Sequence, residues 1–235
     1  MSFFDRFQGV FFNPQPVFKA LAEKPAWKDA LIVLLIVMAA FSYITAPISQ
    51  KDALNAFKDN VKLQDEMGKE SFDKMIQGME NPSATGTILR SAVLNPVLML
   101  VGWLIAGLII LILGRLVSTE GAFLPIFAAV LHANFIDKIF GTLVRLILIM
   151  TRKSVMQTST SLALLIPGAE FTSTSYIILS QFDFFQLWMF GILGLGLAQI
   201  FKVSVAKGMT VSYGFWAIKS IVFIALGFLS RSFLG

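Results

Sequence analysis

Apolar positions along this chain fall into long uninterrupted runs set apart by polar stretches, a pattern that predicts membrane-crossing helices. Runs at about 27–48, 92–113, 122–150, 182–201 and 211–229 are each long enough to cross a hydrocarbon core as a helix. Pro47 stands at the exit of the first, and Asn95-Pro96 and Pro125 fall near the starts of the second and third, where a missing N–H costs little. The expected fold is all-α: a polytopic integral membrane helical bundle of about five transmembrane helices with an N-terminal amphipathic helix, in one domain over residues 1–235.

Polar stretches shape the rest. Residues 1–26 form an amphipathic interfacial lead-in, with Phe3, Phe4, Phe7, Val10 and Phe11 at helical spacing and Asp5, Arg6 and Gln8 elsewhere around the wheel. Phe3, Phe4, Phe7 and Phe11 are the expected docking residues, against the bilayer surface or the protein's own bundle. A second short helix spans Pro16 to Lys24 and ends at Pro25. Residues 49–90 carry six basic and seven acidic side chains and form an extramembrane helical insert, with two short helices either side of Gly68 and a loop at Asn81-Pro82-Ser83. Residues 151–181 form a Ser/Thr-rich loop. Its apolar piece, Leu162 to Ile166, is too short to cross, is ended by Pro167-Gly168 and suits an interfacial or re-entrant segment.

Composition narrows the class. The chain is 56% hydrophobic and 14% charged, and Phe outnumbers Tyr by 23 to 3, since a phenyl ring needs no hydrogen-bond partner in hydrocarbon. The net charge of +5 comes from basic residues scattered singly beside apolar runs, which read as topology signals and contacts with anionic lipid; nucleic acid is not an expected partner. Without Cys, the chain has no disulfide, thiolate metal site or palmitoylated thiol. No cofactor is expected.

The first run reads as a retained signal anchor, because mixed residues precede it and it is long enough to span. Arg6, Lys19, Lys24 and Lys28 lie on its N-terminal side, whereas Lys51 on the other is opposed by Asp52. That asymmetry predicts a cytoplasmic N-terminus and, after about five spans, Gly235 outside. The setting expected is a bacterial inner (cytoplasmic) membrane.

Candidate chemistry concentrates in the third run. Asn134, Lys138, Gly141 or Thr142, and Arg145 recur at helical spacing on one face, with Asp137 beside the stripe and His132 two residues before Asn134. A charge at the bilayer centre costs on the order of 3 kcal/mol, so Lys138 and Arg145 need compensation from Asp137 through a water, Asp183, lipid phosphate or a partner's carboxylate. The stripe is thus either snorkelling near a helix end or a polar, partner or lipid site. His132 and Asp137 also match the H-x4-D pattern of glycerolipid acyltransferases, but positions five apart on an α-helix diverge by about 140°, so the match is read as coincidental. Gly191 to Gly196 superficially resembles a nucleotide loop, with glycines in the wrong order and no strand before them. Small residues at three- and four-residue spacing, Gly102 and Ala106 on the second run and Gly191, Gly194 and Ala198 on the fourth, are the expected close-packing positions.

Three stretches carry a family resemblance: Asn13-Pro14 through Phe18-Lys19-Ala20-Leu21 to Lys24-Pro25-Ala26-Trp27, Gly121-Ala122-Phe123 to Asn134-Phe135, and Leu193-Gly194-Leu195-Gly196-Leu197 to Ala206-Lys207-Gly208. Together they resemble the Yip-domain proteins, a family of five-span membrane proteins named for binding small GTPases of the Ypt/Rab type. The chain lacks an aspartate-leucine-tyrosine-glycine-proline motif, its lead-in is short and its insert long, features that resemble the bacterial side of the family and count against GTPase binding. The resemblance implies a membrane-organising, trafficking-like or accessory role, with the lipid bilayer and other membrane proteins or a second copy as partners. The expected function is a non-enzymatic membrane protein that binds membrane partners or lipids. A small transporter or channel using the third run, and a lipid-modifying enzyme, stand as alternatives.

Overall fold

Local chemistry fixes the first turn. Ser2 and Asp5 form a reciprocal capping box at the head of α1 (Phe3–Phe12), the Ser2 N–H donating to Asp5 Oδ2 at 2.8 Å and the Asp5 N–H to Ser2 Oγ at 3.2 Å. The Ser2 N–H bond to its carboxylate, with the Ser2 hydroxyl close by, holds the Asp5 carboxyl below its ordinary pKa. Pro14 opens α2 (Pro14–Glu23), where its missing N–H is no loss. The computed structural model describes residues 1–58, 61–156, 160–166, 168–170 and 172–234, and every named element among them is helical. Pro167, expected to end the apolar loop piece, and Gly235, expected outside the cell, lie outside the described residues.

After α2 come α3 (Lys28–Lys58), α4 (Val61–Met67), α5 (Lys69–Glu80), α6 (Ala84–Ile88), α7 (Asn95–Gly114), α8 (Phe123–Phe135), α9 (Thr142–Arg152), α10 (Thr174–Leu179), α11 (Phe184–Phe201) and α12 (Val205–Leu234). A π turn over Leu89–Leu94 joins α6 to α7, and a second over Ile136–Gly141 joins α8 to α9. Among the described residues four helices are long and apolar enough to cross a membrane: Lys28–Lys58, Ala84–Gly114, Phe184–Phe201 and Val205–Ser230. The expected third span, about 122–150, is not among those four, although it is helical from Phe123 to Arg152. The chain is therefore an all-α membrane bundle.

Two prolines sit deeper in helices than the apolar runs suggested. Pro47 lies inside α3, which continues to Lys58. Membrane helices tolerate such a proline because neighbouring groups re-satisfy the freed backbone. Pro96 follows a helix that already began at Ala84, so it is interior. Lacking an N–H, it cannot donate to the carbonyl four residues back, and the preceding turn widens into π geometry, with the Asn95 N–H bonded to Arg90 O.

The residues cluster into two compact units, Met1–Met38 with Pro96–Leu143 and Phe184–Ser220, and Ala39–Asn95 with Val144–Asp183 and Ile221–Gly235. The first holds the main apolar core. Within it α8 is buried on every side from Ile126 to Phe135, as expected of a helix packed against α1, α2 and α11. Gly196 of α11 receives the Phe18 ring of α2, a methyl-sized addition there meeting ring carbons at 2.6 Å.

Helix α1 packs on that core through Phe3 and Phe7, whose rings lie 6.0 and 5.3 Å from Phe135, and through Phe11, 4.9 Å from Phe140 and 6.2 Å from Trp188. Phe4 points elsewhere and is 71% exposed. Replacing Phe7 by Ser should therefore lower the thermal midpoint in detergent by the equivalent of about 1–3 kcal/mol of lost burial, with Phe4→Ser within about 0.5 kcal/mol of wild type. Equal effects would contradict the packed orientation of α1.

Candidate functional site

Arg6 is the least expected member of the polar set. Counting 100° per residue, it lies about 40° from Val10 on the helical wheel of α1, on the buried side rather than the polar one. The residue is 6% exposed and each of its three guanidinium nitrogens meets an internal acceptor: it ion-pairs with Asp29, donates to Met1 O at 2.8 Å, and donates through Nε to His132 Nε2 at 3.2 Å. The other ring nitrogen of His132, Nδ1, lies 2.8 Å from Ala128 O. Because a carbonyl only accepts, Nδ1 carries the proton and Nε2 takes the Arg6 bond. Neither ring nitrogen is bonded to Asp137.

Asp137 is instead paired with its neighbour. Its Oδ2 lies 2.7 Å from Lys138 Nζ, with the Asp137 side chain 3% exposed. Adjacent side chains on an α-helix diverge too widely for easy contact, but these two occupy the Ile136–Gly141 π turn, whose extra residue per turn narrows their separation, and the long Lys stem closes the rest. Asn134 is buried and donates to Val130 O at 2.8 Å, and Thr142 is buried with its hydroxyl 3.9 Å from Met38 Sδ. The π turn over Ile136–Gly141 lies between Asn134 and Thr142 and shifts the α-helical phase of the residues beyond it.

Arg145 belongs to the second unit. It bonds Thr160 Oγ1 at 3.2 Å and Asp183 Oδ1 at 3.4 Å, while Thr160 also donates to Asp183 Oδ2. Asp183 was one of four counter-ions open to this arginine on sequence alone. A backbone bridge between Ser161 and Asp183 and the Leu162 N–H bonded to Phe182 O at 3.1 Å hold the two loop ends together there. In the same unit Asp52 accepts from Ser154 Oγ at 2.9 Å and from the Val155 N–H at 2.6 Å. Among the described residues no three His, Asp or Glu side chains gather as a metal site.

Small residues let the backbones of α11 and α12 approach closely. A Cβ on Gly208 of α12 would meet the Gly194 carbonyl oxygen at 2.4 Å and the Ala198 N at 2.8 Å, and one on Gly194 would meet Met209 Sδ at 2.5 Å. Gly191 lies beside Tyr213, whose hydroxyl donates to Leu187 O at 3.0 Å, and the Ser212 hydroxyl donates to Phe190 O at 2.6 Å. On α7, Ala106 packs against the core, whereas Gly102 is exposed with open space around it. The tight positions of α7 are Gly107, beside Phe123, and Gly114, beneath the Phe201 ring. Spacing alone cannot separate Gly102 from Gly107, since a continuous apolar helix gives no phase to its small residues. With no side chain to pack, Gly102→Ala should raise stability by about 0.5–1 kcal/mol through helix propensity.

Arg6 is thus paired with Asp29, Lys138 with Asp137 and Arg145 with Asp183, and both ring nitrogens of His132 are engaged. A family model described as Yip1 domain matches residues 9–227, nearly the whole chain. No curated protein and no solved structure compared with the chain matches it.

Proposed function

From the premise that the chain belongs to the Yip1-domain family of membrane proteins, we propose that it is a non-enzymatic integral membrane protein that binds membrane partners or lipids in an organising, trafficking-like or accessory role. One observation carries the reading: each ionisable group of the third run is answered within the chain, Lys138 by Asp137 and Arg145 by Asp183. A conduction path needs polar groups left for a passing solute, and a catalytic His needs a free ring nitrogen. His132 has both nitrogens engaged. These facts favour binding over transport or acyl transfer.

Its membrane is the bacterial inner membrane, with the N-terminus cytoplasmic on the strength of Arg6, Lys19, Lys24 and Lys28. In this reading the run from Phe123 to Arg152 completes about five crossings and puts the termini on opposite sides. Reporter fusions that place both termini on one side would remove that crossing and leave the four long apolar helices.

Isolation in mild detergent tests the function: the chain should travel with a protein partner or a second copy. A monomer accompanied by no protein, together with solute uptake by proteoliposomes, would overturn the proposal. The charge pair gives a second check. Lys138→Leu strands the buried Asp137 and should cost about 3 kcal/mol, whereas Lys138→Leu with Asp137→Leu should recover most of the folded yield. Three variants (the two singles and the double) behaving like wild type would place the pair at the membrane surface.

A further inference from the structure

A cavity of about 330 Å³ with a mixed polar and apolar wall lies in the second unit, lined by the C-terminal half of α3, the end of α5, α6 and the π turn that follows it. That volume is in the range of small-ligand sites. Its wall is rich in hydroxyls and amides, among them Ser42, Ser49, Gln50, Thr87 and Asn95, with one charged side chain, Arg90, and no Asp or Glu. Some of the polar groups are occupied: Asn95 Nδ2 donates to Ser42 Oγ at 2.6 Å, and Gln50 Nε2 to Met79 O at 2.8 Å. Others are not. The hydroxyls of Ser49 and Thr87 and the guanidinium of Arg90 have no hydrogen-bond or ion-pair partner among the described residues, in contrast to Arg6, Lys138 and Arg145.

The inventory is donor-rich and anion-poor, so its complement is a compact anion with several acceptor oxygens, which a phosphate supplies and a planar guanidinium grips in bidentate fashion. Where the phosphate comes from follows from the neighbours. Tyr43 and Ile44 beside the lining Ser42 and Thr45, and Ile88 and Leu89 beside the lining Thr87 and Arg90, are large apolar side chains left exposed on two helices that are apolar enough to cross a membrane. A free phosphate has no use for that apolar flank; an acyl chain does. We infer that this cavity holds the phosphate-bearing headgroup of an anionic membrane lipid, with Arg90 as its charge partner. The inference rests on reading the chain as a bilayer-resident binding protein and names one of its ligands.

Native mass spectrometry of the detergent-solubilised full chain tests it, with phosphatidylglycerol, phosphatidylcholine and soluble glycerol phosphate as probes. Wild type should retain phosphatidylglycerol roughly tenfold more tightly than phosphatidylcholine, and Arg90→Gln should erase that preference. Arg90 is exposed and internally unpaired, so the variant should unfold at the wild-type temperature without lipid; Lys207→Gln, another exposed cation on α12, should keep the preference. Equal retention of both lipids by wild type, or an undiminished preference in Arg90→Gln, overturns the site. Glycerol phosphate held as tightly as phosphatidylglycerol overturns the lipid assignment in favour of a soluble phosphate. A chain that brings down protein partners but lacks lipid preference fails this inference alone, and lipid preference without any protein partner leaves it standing.

Discussion

Asp29→Leu should lower the stability of the detergent-solubilised protein by about 2–4 kcal/mol, a larger charge-burial cost than that of Arg6→Met, even though the two residues form one ion pair. The asymmetry comes from burial. The Arg6 side chain is 8% exposed and the Asp29 side chain 41%, so losing the carboxylate strands a cation with no access to water, whereas losing the guanidinium leaves an anion that water still reaches. Arg6 also serves His132, so its removal orphans the Nε2 acceptor at a further cost of about 1–3 kcal/mol. The double variant, Arg6→Met with Asp29→Leu, should recover the charge-burial term and keep the histidine term. Thermal midpoints of the four proteins would separate these contributions. Identical midpoints for Asp29→Leu and wild type would mean that the guanidinium reaches solvent and that the cluster stabilises nothing.

Sequence patterning reached the four long apolar helices and stopped at their phase. Long apolar runs are legible because burial in lipid selects composition directly, and Gly194 and Ala198 could be picked out as a close-packing pair by their spacing. The π turns at Leu89–Leu94 and Ile136–Gly141 were not legible, since one extra residue in a turn leaves no mark on hydropathy while rotating everything beyond it. Arg6 was misassigned to the polar side of α1 for a related reason. An arginine among phenylalanines looks like the solvent face until its angle is counted, and its partners lie 23 and 126 residues away. Gly208 stood in the sequence only as the end of a family-resembling stretch, and it is the residue on which two helix backbones meet.

The second large effect is expected at that residue. Gly208→Ala places a methyl group 2.4 Å from the Gly194 carbonyl oxygen and 2.9 Å from the Ala198 Cβ, and because backbone atoms are involved no side-chain rotation relieves the clash. Destabilisation of about 2–3 kcal/mol is expected for alanine and more for leucine, read as a lower unfolding temperature and as loss of the Ser212 bond to Phe190 O, which spans the same crossing. Tolerance of leucine at 208 would mean that α11 and α12 stand further apart.

Helix α11 ends where Lys202 adopts φ 51°, with the Val203 N–H returning to Ala198 O at 3.1 Å, and α12 begins at Val205. So short a turn has implications for how the nascent chain enters the bilayer. Three residues give no slack for α11 to wander while its successor is still being translated, so the two helices must be handed to the membrane as a hairpin. Their fit is so close that the first is incomplete as a folded object until the second leaves the ribosome. Translation must run about thirty residues past Phe201 before either becomes secure. A ribosome stalled before that point would leave the membrane with half a joint.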